Sequence, residues 1–299
     1  MSDTLAPEGT ETSPFGRRLR YWRSARGMSQ LDLASAAGTT SRHLSFCETG
    51  RSRPGRDLVL RLADVLAVPV RDRNDLLEAA GLPPAYPARG LDSPQLAPVR
   101  RVLDQVLAAH DPYPAWVLGR GMAVVDANQA ARALFPGVVG LTSEQFVDVW
   151  FGPGPLADRI VNRAEVLRAG LAQLRREAWA TGDPTMIAVL ARAGALAAQA
   201  FADGLAGADV GAADAWHPDD SPVSCPVLDI GGRVVRTVST VMRFDTAVEV
   251  TTSELRVELM YPADPDSDRA LREVVALAAG DASRDRPLGW ASVSSTRPS

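Results

Sequence analysis

Between residues 81 and 98 the chain reads GLPPAYPARGLDSPQLAP, with prolines at 83, 84, 87, 94 and 98. Proline has no amide proton and a fixed φ, so no long continuous helix can cross this stretch. The segments on its two sides must fold separately, joined by a semi-rigid connector. The 299 residues agree, since a domain averages roughly 150 residues and each half can then bury a real core. The expected divisions are a polar, aperiodic tail over 1–14, an all-α head over 15–82, the connector over 83–98, an α/β body over 99–280 and a loose tail over 281–299.

The net charge of −4 conceals a split between these halves. Residues 15–75 hold 12 of the 32 basic and 6 of the 36 acidic residues, a local +6, which leaves 20 basic against 30 acidic elsewhere, −10. A basic head on an acidic body marks a nucleic-acid-binding module joined to something else. Every basic residue is arginine; its planar fork suits phosphates and guanine edges, although total absence of lysine reads more simply as genome composition. The two cysteines, Cys47 and Cys225, fit neither a disulfide framework nor a paired metal spacing, so a reducing cytoplasm is the expected compartment. The first residues lack a basic start followed by an apolar run, and no stretch of about 18 consecutive apolar residues occurs; neither export nor a membrane span is expected.

Short helical periods fill the head. Leu19 and Trp22 share a face before Gly27. Ser29 is a good N-cap for a second helix with Leu31, Leu33, Ala34 and Ala37 inward, ended by Gly38. A third runs from about Thr40 to Glu48 with Leu44 and Cys47 inward. Asp57 can cap a fourth carrying Leu58, Leu62, Val65 and Leu66, and a fifth covers Arg71 to Ala80.

The second and third helices, separated by a three-residue turn around Gly38, have helix-turn-helix spacing. Such a unit reads DNA by projecting side chains from a short helix into a groove while the helix's other face packs on a scaffold. Thr40, Ser41, Arg42, His43 and Ser45 project outward here. Gln30 stands at a helix N-terminus, where free N–H groups favour a phosphate, and Arg51 and Arg53 are placed as backbone clamps. The plainer alternative is an ordinary five-helix bundle. Cys47 is either core filler or a redox-sensitive thiol beside DNA.

In the body, Val99, Val102, Leu103, Val106 and Leu107 form an amphipathic stripe for the protein's own core or for a second copy. Ala115–Leu118 and Met122–Val125 read as a hairpin around Gly119-Arg120-Gly121, after which Asp126 can cap a helix. Helical stretches come next, near 142–150, 155–180 and 183–203. Two late strands alternate: Val234, Val238, Met242 and Phe244 against polar neighbours, and Leu255, Val257, Leu259 and Tyr261 against Glu254, Arg256 and Glu258, each with one buried face. A last helix spans about 266–279.

The run MSQLDLASAAGTTSRHLSFCETGRSRPGRDLVLRLADVLAVPVRDRNDLLEAAGLPPAY resembles the lambda-repressor-like, xenobiotic-response-element type of helix-turn-helix regulator, and in particular the actinobacterial branch joined to an MmyB-like ligand-binding domain. PYPAWVLGRGMAVVDANQAARALFPG is similar to the opening of that sensor; WHPDD, STVMRFDT and SELRVELMYPADPDSDRALREV are similar to its closing elements. The resemblance implies a PAS-like fold and a fatty-acid-like small molecule as ligand, with no further cofactor.

A pocket between a curved sheet and helices needs apolar walls and one or two polar anchors. Trp116, Phe135, Phe146, Trp150, Phe151, Ile160 and Trp179 are the candidates, each alternatively plain core. Arg159 or Arg163 could hold a carboxylate head, or simply lie on the surface. Asp264-x-Asp266-x-Asp268 mimics the start of a calcium loop but has Arg269 and Val275 where glycine and glutamate belong; it reads as a helix cap. The three histidines lack ligand spacing, and no nucleophile or phosphate-loop motif occurs. The expected protein is a cytoplasmic, dimeric, DNA-binding regulator tuned by a small apolar or amphiphilic molecule. An enzyme with a DNA-binding head and a protein-interaction scaffold are the alternatives.

Overall fold

The computed structural model describes residues 13–205 and 225–281, with side chains to 277. The outer tails and the segment holding Trp216-His217-Pro218 lie outside the described residues.

The head consists of α1 (Pro14–Ala25), α2 (Gln30–Ala36), α3 (Ser41–Glu48), α4 (Arg56–Val65) and α5 (Val70–Ala79). Local chemistry sets their ends. Ser29 and Asp32 form a reciprocal capping box on α2. Gly38 takes φ +64°, and Thr39 N–H reaches back to Ala34 O at 2.9 Å to close the helix. Thr40 Oγ1 accepts from His43 N–H at 3.1 Å to open α3. The core gathers Leu19, Trp22, Leu33, Leu44, Cys47, Leu62, Leu66, Leu76 and Leu77. Two expectations need correction. Leu31 is 67% exposed, because a residue two before Leu33 falls on the opposite side of the helix. Gly55, not Asp57, occupies the cap position of α4.

Residues 83–98 divide. Ala85 and Tyr86 are fastened to α5, their amides donating to Asn74 Oδ1 at 2.9 and 3.0 Å, whereas Pro94–Leu96 forms a 3-10 turn leading into α6 (Ala97–His110). One compact unit ends at Arg89 and takes in Thr246–Ser253; the other begins at Gly90 and resumes at Glu254. Inside the first, Glu249 accepts from Arg89 N–H and Thr252 N–H, both at 2.7 Å. Val250 N–H donates to Pro87 O at 2.9 Å.

The second unit contains β1 (Ala115–Leu118), β2 (Val124–Ala127), α7 (Gln129–Leu134), α8 (Ser143–Phe151), α9 (Arg163–Thr181), α10 (Pro184–Ala202), β3 (Val227–Ile230), β4 (Arg233–Arg243), α11 (Val250–Glu254, shared with the first unit), β5 (Arg256–Pro262) and α12 (Pro265–Asp281). The strands form one PAS-like antiparallel sheet in the order β2-β1-β5-β4-β3. Leu103 and Leu107 of α6 pack on Ala115, Val117, Leu255 and Val257 on one face. The stripe considered for a second copy thus packs largely within its own chain, with Val102 left 41% exposed. The other face supports the larger core, built with α7 to α10 and α12.

Several boundaries differ from expectation. A 3-10 turn at Arg120–Met122 delays β2, and Asn128, not Asp126, caps α7. Residues 155–162, expected as the start of a helix, are not α-helical: Ala157–Arg159 is a 3-10 turn and Ile160 bridges Leu228. On β4 the buried residues are Val235 and Thr237, while Val234 is 47% exposed. β5 is covered on both faces, because it is the central strand between two packed layers. Asp264 Oδ1 accepts from Ser267 N–H at 2.7 Å at the start of α12. By length and composition α10 could cross a membrane. It reads as a core helix, with Met186, Val189, Ala193, Ala197 and Phe201 buried and Arg192 paired to Asp148 at 2.7 Å.

Candidate functional site

In the head, Glu48 closes the inner end of α3 with a fully buried side chain. It accepts from Arg23 Nε at 2.7 Å and from Gln30 Nε2 at 2.8 Å, with Arg20 at 3.5 Å. Burial by itself would raise its pKa. The hydrogen bonds from Arg23 and Gln30 and the charges of Arg23 and Arg20 together outweigh that and hold it low. One carboxylate therefore ties α1, α2 and α3 together. Its use of the Gln30 amide competes with the phosphate contact expected of that residue.

The opposite side of α3 faces outward. Thr40, Ser41 and Arg42 are exposed, His43 and Ser45 half-buried. Arg42 lies 5.4 Å over the Phe46 ring, which props its guanidinium. Thr40 is also the helix cap, so its hydroxyl is already partly committed. His43 Nε2 lies 3.8 Å from Cys47 Sγ. Burial pushes the Cys47 thiol up, away from the reactive thiolate. Arg51 and Arg53 are exposed beyond the end of α3, and neither forms an ion pair among the described residues.

In the second unit a cavity of about 130 Å³ lies between the sheet and α8 and α9. Phe146, Trp150 and Phe151 line it with Leu167, Gly170 and Met260. A Cβ on Gly170 would lie 2.9 Å from Phe151 Cζ, so the missing side chain makes room for that ring. Trp116 and Phe135 pack behind the wall, their rings 6.1 and 6.2 Å from Trp150. Ile160 is buried in the same core.

Trp179 is 73% exposed. The buried stripe of α9 runs through Leu167, Leu171, Leu174 and Ala178, and the next residue along falls about 100° around the helix. Neither Arg159 nor Arg163 lines the cavity. Arg163 Nη2 donates to the carbonyls of Phe151 and Gly152, at 3.3 and 2.8 Å, at the end of α8.

The polar groups on the wall are instead Glu258, Ser239, Cys225 and Gln173. Sequence reasoning passed over Glu258 as one of the outward residues of an alternating strand. The available signal was Met260, two residues on and so on the same face of the strand. Glu258 is half-buried, and burial raises its pKa despite the Trp116 hydrogen bond and the attraction of Arg256.

Residues 99–274 match the family described as "MmyB-like transcription regulator ligand binding domain". Residues 14–76 match the one described as "Helix-turn-helix domain". No curated protein matches. Among solved structures, the clp gene regulator ClgR from Corynebacterium glutamicum is 28% identical, with 33% of this chain and 93% of that chain covered and a TM-score of 0.21. By the match over more than half its length, this chain belongs to the MmyB-like family, and with a helix-turn-helix domain in front it is a DNA-binding transcription regulator with a ligand-binding domain.

Proposed function

We propose that the chain recognises a specific duplex DNA sequence through Thr40, Ser41, Arg42, His43 and Ser45, with Arg51 and Arg53 on the phosphate backbone. A small apolar or amphiphilic molecule in the cavity of the second unit adjusts its operator affinity. The observation that carries this reading is the two-sided build of α3: its inner end is locked by the Glu48 network, and its outer edge presents Ser41 and Arg42 to solvent. A reading helix needs that combination of a fixed position and a free edge.

One head offers few base contacts, so the functional unit is two copies on a two-fold operator with centres about 34 Å apart. It works where the chromosome is, in the cytoplasm. The test is selection of bound fragments from a genomic library, then titration of the best fragment and mass determination of the complex. An enriched sequence with two half-sites and two chains per duplex is expected. No duplex bound at low salt would refute the DNA reading, and one chain on the best operator would refute the dimer.

A further inference from the structure

The loop between β4 and β5 carries a buried acid that neither DNA reading nor the cavity uses. Glu249, 6% exposed, accepts from the Arg89 and Thr252 amides, both at 2.7 Å. Thr251 Oγ1 donates to Arg89 O at 2.6 Å, and the Val250 amide donates to Pro87 O at 2.9 Å. Three backbone groups of the connector are thus held by the first residues around α11. Burial alone would raise the Glu249 pKa, but the Thr252 and Arg89 amides hold it low. The acceptor is charged, and its hydrogen bonds are of the stronger kind. The same connector is fastened to the head: Asn74 Oδ1 accepts from the Ala85 and Tyr86 amides, and Asn74 Nδ2 donates to Tyr86 O at 2.7 Å. Loop, connector and α5 form one hydrogen-bonded piece. From α5, Asp75 pairs with Arg18 of α1 at 2.9 Å, and Arg23 of α1 holds Glu48 at the end of α3.

In the other direction the loop runs into β4 and β5. Their ladder is continuous from Thr237 opposite Pro262 to Arg243 opposite Arg256, and it contains Ser239 and Glu258 of the cavity wall. Paired strands shift as one ribbon, because a slip between them would turn every side chain to the wrong face. We propose that the clasp of Glu249 and Thr251 on Pro87 and Arg89 connects occupancy of the cavity to operator affinity, with Glu249 as its positioning residue. A ligand against Ser239 and Glu258 favours one setting of the ribbon. The clasp passes that setting to the connector and α5, and the Arg18–Asp75 and Arg23–Glu48 pairs pass it to α3. Packed elements and ion pairs of this kind are the physical carriers of coupling. A proline-rich connector without the clasp would be a tether with nothing pulling on it.

This inference rests on the reading of the chain as a ligand-tuned DNA binder, and the experiment separates the two. Amide hydrogen exchange is measured on the full-length chain, alone and saturated with the operator fragment enriched from the genomic library. Coupling is reciprocal, so operator held at α3 should change exchange of the β4 and β5 amides by about fivefold or more. Glu249→Gln turns one accepting oxygen into an NH2 group that faces another donor; Thr251→Val removes the hydroxyl that holds Arg89 O. In both variants operator affinity and the protection it gives α3 should match the wild type, while the change in β4 and β5 disappears. A clasp that only secured the fold would leave that operator-induced change in place, and this result overturns the proposal. Should Glu249→Gln fail to fold, Thr251→Val decides, since it deletes a single exposed hydrogen bond. No change in wild-type β4 and β5 on operator binding overturns the route and leaves both DNA binding and ligand binding standing. Failure of every duplex to bind refutes the DNA reading, and the route with it.

Discussion

Removing the fully buried Glu48 carboxylate leaves the half-buried Arg23 and Gln30 without their shared acceptor. Breaking a buried ion pair costs about 3–5 kcal/mol, and denaturant unfolding of Glu48→Ala should register a loss of that order. Because its pKa is depressed in the fold, its contribution is complete above the unfolded value of about 4.3 and is lost as pH falls through the lower folded value. Glu48→Gln should therefore flatten the acid limb of the stability curve; an unchanged limb would show that the carboxylate is not the group titrating. On the outer edge, Arg42→Ala should cost about 1–3 kcal/mol on the operator and relax preference at one base pair. Arg51→Ala and Arg53→Ala should weaken every sequence alike and each lower the salt slope by about 0.9. The outward residues of α3 could be read from spacing, since a short helix has one packed side and its remainder faces out. Glu258 could not, because period-two alternation marks which residues share a face, not which face meets solvent.

Among the elements, the head helices were legible because their ends carry their own chemistry. Ser29 with Asp32, Thr40 and Gly38 satisfy or terminate backbone groups without help from distant parts of the chain. Ser29→Ala should cost about 0.5–2 kcal/mol, read as a shift in the midpoint of thermal or urea unfolding; no shift would mean that α2 is held by packing alone. The strands were less legible for the complementary reason. β4 is an outer partner of β5 and buries Val235 and Thr237, whereas β5 lies between two layers and buries Arg256 and Met260 along with Val257. Which side of a strand is covered depends on helices far away in sequence, and local alternation carries no record of them.

At the scale of the molecule, regulation demands that ligand and operator each bind one arrangement of the chain better than another, the same one for activation of binding and opposite ones for release. A coupling of about 1–3 kcal/mol changes operator affinity by roughly 5- to 150-fold, and operator must change ligand affinity by the same factor. Operator titrations with and without saturating ligand, and ligand titrations with and without operator, should give matching ratios. A ligand that binds tightly yet leaves operator affinity untouched would make the second unit something other than a sensor. The division into two units was visible in the prolines, but its course was not. The chain leaves the first unit after Arg89, returns to it at Thr246 and departs again after Ser253, so that unit is stitched from two stretches of gene. A fragment ended at Arg89 would leave behind the carboxylate that accepts from the Arg89 amide and the Val250 amide that donates to the Pro87 carbonyl. A protease nick at the Arg89–Gly90 bond would still leave two covalent crossings intact. The reading head is thus no detachable cassette: the loop between β4 and β5, whose strands contribute Ser239 and Glu258 to the cavity wall, is itself part of that head.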